Sequence, residues 1–295
     1  MNKNEEFENP EKPSPKPDKA YKNLSFLNSS AARSIRVLCE LTEPAVRLDD
    51  EGVRNTIVFF GSARNPAPER AEQLLEEMEA HESGPPLSEE SARQLKARRK
   101  QIERAVKYYR FARELAAELT RWSNAQEDAD KKFFICSGGG PGIMEAANRG
   151  ARDAGGRSVA LGISLPFEQK LNPYCDEPLS FDFHYFFLRK YWFLYHAKAL
   201  VVFPGGFGTF DELFEMLTLI QTRKTTKFIQ ILLIGREFWE NTVNFSNLVE
   251  WGVISPEDLG LFRIIDSIKE ARDLLIHPFD SGRVAPGGDP GIMPE

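Results

Sequence analysis

Val201-Val202-Phe203-Pro204-Gly205-Gly206-Phe207-Gly208-Thr209-Phe210-Asp211-Glu212 reads as a buried β-strand that enters a glycine-rich turn and continues into a helix. Glycines let a backbone approach a ligand closely, and a helix start carries partial positive charge, so the element suits an anion such as a phosphate. Asp211 and Glu212 fall within one turn of that anion site. A loop that only holds phosphate gains nothing from negative charge there, so the carboxylates point to chemistry as well as binding. The structural alternative is a capping box, in which Thr209 and Glu212 close the free N–H groups of the helix start.

Two further stretches repeat the strand–glycine turn–helix pattern. One runs Phe133-Phe134-Ile135-Cys136-Ser137-Gly138-Gly139-Gly140-Pro141-Gly142-Ile143-Met144, with Pro141 in the first turn, where its missing N–H costs nothing. The weaker copy is Thr56-Ile57-Val58-Phe59-Phe60-Gly61-Ser62-Ala63-Arg64. In an open parallel sheet, ligands lie at the carboxyl ends of the strands, where the strand order reverses. No Gly-Lys-Ser/Thr follows these turns, and the spacing of Gly138 to Gly142 misses the dinucleotide fingerprint.

Outward from these turns, strands are expected at 158–163, 179–183, 228–234 and 262–265. Helices are expected at 186–198, 210–222, 237–249 and 267–275, and an N-terminal helix between Ser29 and Leu48. The alternation predicts an α/β fold, a Rossmann-like doubly wound parallel sheet with helices on both faces. A charged helical insertion at about 66–104 reads as a surface hairpin broken at Ser83-Gly84-Pro85-Pro86, and 105–122 as the crossover helix after it. Residues 1–28 and 279–295, rich in Pro, Gly and charge, are expected to be disordered tails around a single domain at 29–278.

Taken in order, Ser137-Gly-Gly-Gly-Pro-Gly-Ile-Met-Glu-Ala-Ala-Asn-Arg-Gly150, Arg189-Lys190 and Pro204-Gly-Gly-Phe-Gly-Thr-Phe-Asp-Glu212 resemble the LOG ("Lonely Guy") family, over about 55–276. Its members are phosphoribohydrolases long labelled lysine decarboxylases. The resemblance implies a Rossmann-like fold that splits a purine nucleoside 5′-monophosphate, AMP or an N6-modified AMP such as a cytokinin ribotide, into free base and ribose 5-phosphate. It implies no metal, no organic cofactor, and a homodimer at least. It assigns catalysis to Glu212 and Arg189. Substrate contacts fall to Gly61, Ser62, Gly139, Gly140, Gly142, Glu168, Lys190, Gly205, Gly206, Gly208, Thr209, Asp211 and Thr218. Asp211 stands where many members have Glu, and Glu168 lies farther from Arg189 than in short members.

The chemistry agrees with those residue types. Glycosidic cleavage passes through an oxocarbenium-like sugar, which a carboxylate stabilises while it orients or deprotonates water. A guanidinium grips phosphate or ribose oxygens in a bidentate manner. The alternative is a non-catalytic nucleotide or cofactor carrier on the same fold, since fold does not fix function. Retention of both Glu212 and Arg189 favours the enzyme. A pyridoxal-phosphate decarboxylase requires a marked lysine with an acidic partner, and nothing around Lys190, Lys198 or Lys227 marks one. His184 and His196, set among aromatics, read as packed residues.

Composition sets the outer limits. A net charge of -6 over 295 residues offers no general attraction to nucleic acid or to an anionic membrane. No apolar run is long enough for a span, and the charged N-terminus is unlike a signal peptide. Cys39, Cys136 and Cys175 are scattered without a C-x-x-C, which fits a reducing cytoplasm and no zinc site.

Overall fold

The computed structural model describes residues 17–83, 88–165, 170–225 and 227–281. After a helical turn, α1 (Leu24–Leu27), and a longer helix, α2 (Arg33–Asp50), strands and helices alternate. They run β1 (Thr56–Phe60), α3 (Pro68–Glu82), α4 (Glu89–Asn124), β2 (Phe134–Ser137), α5 (Ile143–Asp153), β3 (Ser158–Ile163), β4 (Ser180–Phe183) and α6 (Phe186–Tyr195). The second half runs β5 (Ala197–Val202), α7 (Phe207–Gln221), β6 (Gln230–Ile234), α8 (Arg236–Thr242), α9 (Phe245–Glu250), β7 (Arg263–Ile265) and α10 (Ile268–Asp280).

The seven strands form one all-parallel sheet in the order β4-β3-β2-β1-β5-β6-β7. Successive side chains of a strand point to opposite faces, so the apolar runs feed two cores. Ile57, Phe59, Ile135, Val201 and Leu232 join α4, α5 and α10 on one face. Val58, Phe60, Cys136, Leu200 and Leu233 join α2, α6, α7 and α8 on the other. This is the doubly wound architecture expected from the sequence. The chain builds outward from β1 to β4, then returns to the other side of β1 at β5, so the strand order reverses between β1 and β5. Phe60 and Val202 lie side by side at the carboxyl ends of those two strands.

Several boundaries depart from the pattern reading. The second arm of the insertion and the crossover helix are one helix, α4, of 36 residues; no Gly or Pro from Glu89 to Asn124 interrupts it. The helix expected at 237–249 divides at Val243, where Asn244 caps α9 by accepting from the Asn247 N–H at 3.0 Å. Within the expected N-terminal tail, residues 17–28 carry a 3-10 turn (Ala20–Lys22) and α1, whose cap is Asn23. Residues 1–16 and 282–295 lie outside the described residues.

Candidate active site

The glycine turns after β1 and β5 meet at the switch point. Phe203 N–H donates to the Phe60 carbonyl at 2.8 Å, and Ser62 N–H to the Pro204 carbonyl at 3.1 Å. Ile143 N–H, at the start of α5, donates to the Ser62 carbonyl at 3.1 Å. Gly142 holds φ +75°, and a Cβ there would collide with that same carbonyl. Here a glycine serves loop-to-loop packing. Gly206 and Gly208 are different, because nothing lies within 4 Å of a Cβ built on either. They leave the start of α7 open, beside a cavity of about 970 Å³.

Helix α7 begins at Phe207 with Gly206 as its cap residue, and no side chain caps it. Thr209 therefore sits inside the first turn, its N–H donating to the Gly206 carbonyl at 2.9 Å. The capping box is not formed. The Phe207 and Gly208 N–H groups precede the first hydrogen bond of the helix, and both residues line the cavity, so they are the candidate donors for an anion.

Glu212 follows one turn later. It is 6% exposed and lines the cavity, and its Oε2 has no hydrogen-bond partner. Lys190 Nζ is 3.7 Å away, an ion pair too long to be a hydrogen bond. Burial pushes the Glu212 carboxyl up to about 7, although Lys190 and Arg189 pull the other way. Arg189 reaches the cavity from α6. Its Nε donates to the Leu161 carbonyl at 2.8 Å, and its guanidinium lies 5.0 Å from the centre of the Phe193 ring. Burial lowers its pKa, countered by Glu212. A Cβ on Gly138 would run into the guanidinium, so the second glycine turn makes room for it.

Lys190, the next residue on α6, points to the outer side of α7. Its Nζ lies 2.6 Å from Glu215, 2.9 Å from Asp211 and 3.7 Å from Glu212. Burial works against its charge, but the carboxylates outweigh it and hold the ammonium above its ordinary range. Helix α2 fixes the start of α6: the Glu40 carboxylate accepts from His184 N–H at 3.0 Å and Tyr185 N–H at 3.2 Å.

Of the residues singled out in the sequence, Gly61, Ser62, Arg189, Gly205, Gly206, Gly208, Thr209, Asp211 and Glu212 line this one cavity. Lys190 and Thr218 line a shallower groove of about 580 Å³, shared with Asp211, on the outer side of α7. There the Thr218 hydroxyl donates to the Phe214 carbonyl at 2.7 Å. Gly139, Gly140 and Gly142 do not line the cavity; the Gly139 and Gly140 carbonyls both accept from Asn172 Nδ2 at 3.0 Å. Glu168 lies outside the described residues. Pattern reading missed Arg64, Gly138, Met144, Phe186, Phe238 and Thr242, which also line the cavity. Arg64, directly after Gly61-Ser62-Ala63, was open to inference. Phe238 and Thr242 come from α8, which no motif marks.

The fold and cavity define a doubly wound α/β protein with a carboxylate- and arginine-bearing crevice at its topological switch point. Residues 144–275 match the family model described as "Possible lysine decarboxylase". Over 142 residues the chain is 29% identical to "Probable cytokinin riboside 5′-monophosphate phosphoribohydrolase LOG4" of Oryza sativa subsp. japonica, covering 46% of this chain and 59% of that protein. It is 30% identical over 128 residues to "Cytokinin riboside 5′-monophosphate phosphoribohydrolase LOG3" of Arabidopsis thaliana, covering 42% of this chain and 57% of the relative. The matched part of this chain is similar to LOG-family sequence, as the motifs indicated. A molybdenum cofactor binding protein from Rippkaea orientalis superposes with a TM-score of 0.42 at 14% identity, over 76% of this chain and 96% of its own.

Proposed function

We propose that this protein hydrolyses the N-glycosidic bond of a purine nucleoside 5′-monophosphate, AMP or an N6-modified AMP, to free base and ribose 5-phosphate. The observation that carries the reading is Glu212, a deeply buried carboxylate without a hydrogen-bond donor on Oε2, facing a cavity at the uncapped start of α7. Structural carboxylates at that depth are paired. One that lines a cavity yet leaves a buried oxygen without a hydrogen bond, with a pKa of about 7, fits a group that exchanges a proton during turnover. The relatives' names support the same reaction class, although the matches span 59% and 57% of those proteins.

In this reading the phosphate takes the first-turn N–H groups of α7, with Arg64 at the cavity wall. The C1′–N bond breaks with its electron pair leaving on the base, which takes a proton. Glu212 faces the resulting oxocarbenium sugar and accepts a proton from the water whose oxygen bonds to C1′. Arg189, free of any carboxylate within 4.0 Å among the described residues, supplies donors to ribose oxygens or to the departing base. The decarboxylase label does not suit Lys190: a Schiff-base lysine must lose its proton, whereas three carboxylates hold this ammonium charged.

Phe186 and Phe207, 54% and 96% exposed, both line the cavity. Rings left so exposed suit a contact with a second copy, so we place a homodimer interface beside the site. Among the described residues no helix is long and apolar enough to cross a membrane, and a cytoplasmic location is part of this proposal. The reading is tested by incubating the protein with a panel of purine 5′-monophosphates and measuring free base and ribose 5-phosphate. Stoichiometric release of both from one of them is expected. Tight binding without turnover of any would instead mark a carrier.

A further inference from the structure

The cluster on the outer side of α7 holds a carboxylate that no sequence motif includes. Asp211 and Glu215 stand four residues apart on one helix ridge and clasp the Lys190 ammonium at 2.9 and 2.6 Å, while Glu212, between them in sequence, is left at 3.7 Å. Exposure separates the same two from the third: the Asp211 and Glu215 side chains are 61% and 34% exposed, that of Glu212 8%. The lysine is thus drawn outward, away from the buried carboxylate. Glu215 makes the shorter contact, a direct hydrogen bond from Lys190 Nζ.

From this geometry, and resting on the reaction proposed above, we infer that Glu215 is a positioning residue: it retains the Lys190 ammonium on the outer side of α7 and so keeps it beyond hydrogen-bond distance of the cavity-lining Glu212 carboxylate. The charged groups facing Glu212 are Arg189 and Lys190 from α6 and Asp211 and Glu215 from its own helix. Arg189 is committed to the Leu161 carbonyl and the Phe193 ring, so Lys190 is the cation whose position is adjustable. A lysine is a point charge on a flexible stem, and it moves to whichever carboxylate remains. If it paired closely with Glu212, that group would stay ionised and become a poor proton acceptor, because a base works best with a pKa near the working pH.

The substitution Glu215→Gln removes the outer charge while keeping the side chain's length. Both consequences push the same way: a repelling carboxylate is lost, and Lys190, left with Asp211 at 2.9 Å as its one outer partner, shifts toward Glu212. The Glu212 pKa should therefore fall, by about one unit, and the acid limb of kcat/KM should move down by the same amount. A ¹³C NMR titration of the Glu212 carboxyl, identified by its loss in Glu212→Gln, reads this without any turnover. Repeating Glu215→Gln in a Lys190→Gln background separates the lysine's part, and there the shift should shrink to the direct repulsion alone. Unchanged titration of Glu212 in Glu215→Gln, or an equal shift with and without Lys190, would overturn the inference. Wild-type protein that releases no base from any monophosphate would instead overturn the proposed reaction, and the NMR titration would still decide the role of Glu215.

Discussion

Glu212 is a carboxylate placed where charge is costly, and its energetics separate function from architecture. Its ordinary value is 4.5 and its value in the fold is about 7, so the folded protein holds this proton more tightly than the unfolded chain. The stability this contributes is complete below about pH 4.5 and is lost as pH rises through about 7. A glutamine does not titrate there. Glu212→Gln should therefore keep or raise Tm relative to wild type, with the gap widening from pH 5 to pH 8, while kcat falls on the order of 10²-fold or more. Thermal melts across pH, beside initial rates, check both halves; a lowered Tm with normal turnover would return Glu212 to a structural role. Arg64 gives a second prediction at this scale. It lines the cavity and has no carboxylate within 4.0 Å among the described residues. Arg64→Ala should raise KM for a monophosphate about tenfold, the loss of one charge-assisted contact, and leave Tm unchanged. The glycine turns and Glu212 were legible because a short motif carries them. Arg64 was open to inference from its place after the first glycine turn, and the apolar wall from Phe238 was not, since an aromatic at helical spacing reads as core.

Among the elements, the long helical arm shows how local patterning and tertiary packing divide the labour. α3 folds back on α4 through a small cluster of its own, Ala71, Met78 and Ile102, separate from the two main cores. Its ends are tied by ion pairs, Arg149 with Glu69 at 2.6 Å and Arg99 with Glu79 and Glu82 at 3.2 Å. Because that cluster is separate, damage to it should stay local. Ile102→Ala should cost about 2–5 kcal/mol of arm stability, seen as faster amide exchange over α3, with exchange in β1 and β5 and activity both preserved. Exchange rising throughout the sheet would show that the arm is part of the global fold. The sequence showed a charged insertion but not that its second half continues into the crossover helix; a long charged run hides the stripe by which α4 packs. The start of α7 was misplaced for the opposite reason. Gly208 looks like a turn residue, yet it lies inside the helix, where its small size keeps the anion-facing end uncovered. The support that α2 gives to α6 through Glu40 has no sequence signature, because it depends on a contact across 144 positions of chain.

For the molecule as a whole, the sheet order decides where chemistry is placed, and α6 decides what it contains. Strands β1 and β5 open the crevice, while α6 brings Arg189 into it and Phe186 to its edge. If a second copy covers Phe186 and Phe207, specific activity should fall on dilution in step with the loss of dimer. Light scattering and assays at matched concentrations check this; a stable, fully active monomer would contradict it. The pH–rate profile should rise through about pH 7 as Glu212 ionises. The central claim, that the open start of α7 holds a 5′-phosphate while Glu212 promotes cleavage of the glycosidic bond, is tested most directly by measuring adenine release from AMP and from adenosine with wild-type protein and Glu212→Gln. The account predicts rapid release from AMP by the wild type, little from adenosine, and little from either by the variant. Equal release from AMP and adenosine, or full release by the variant, would contradict it.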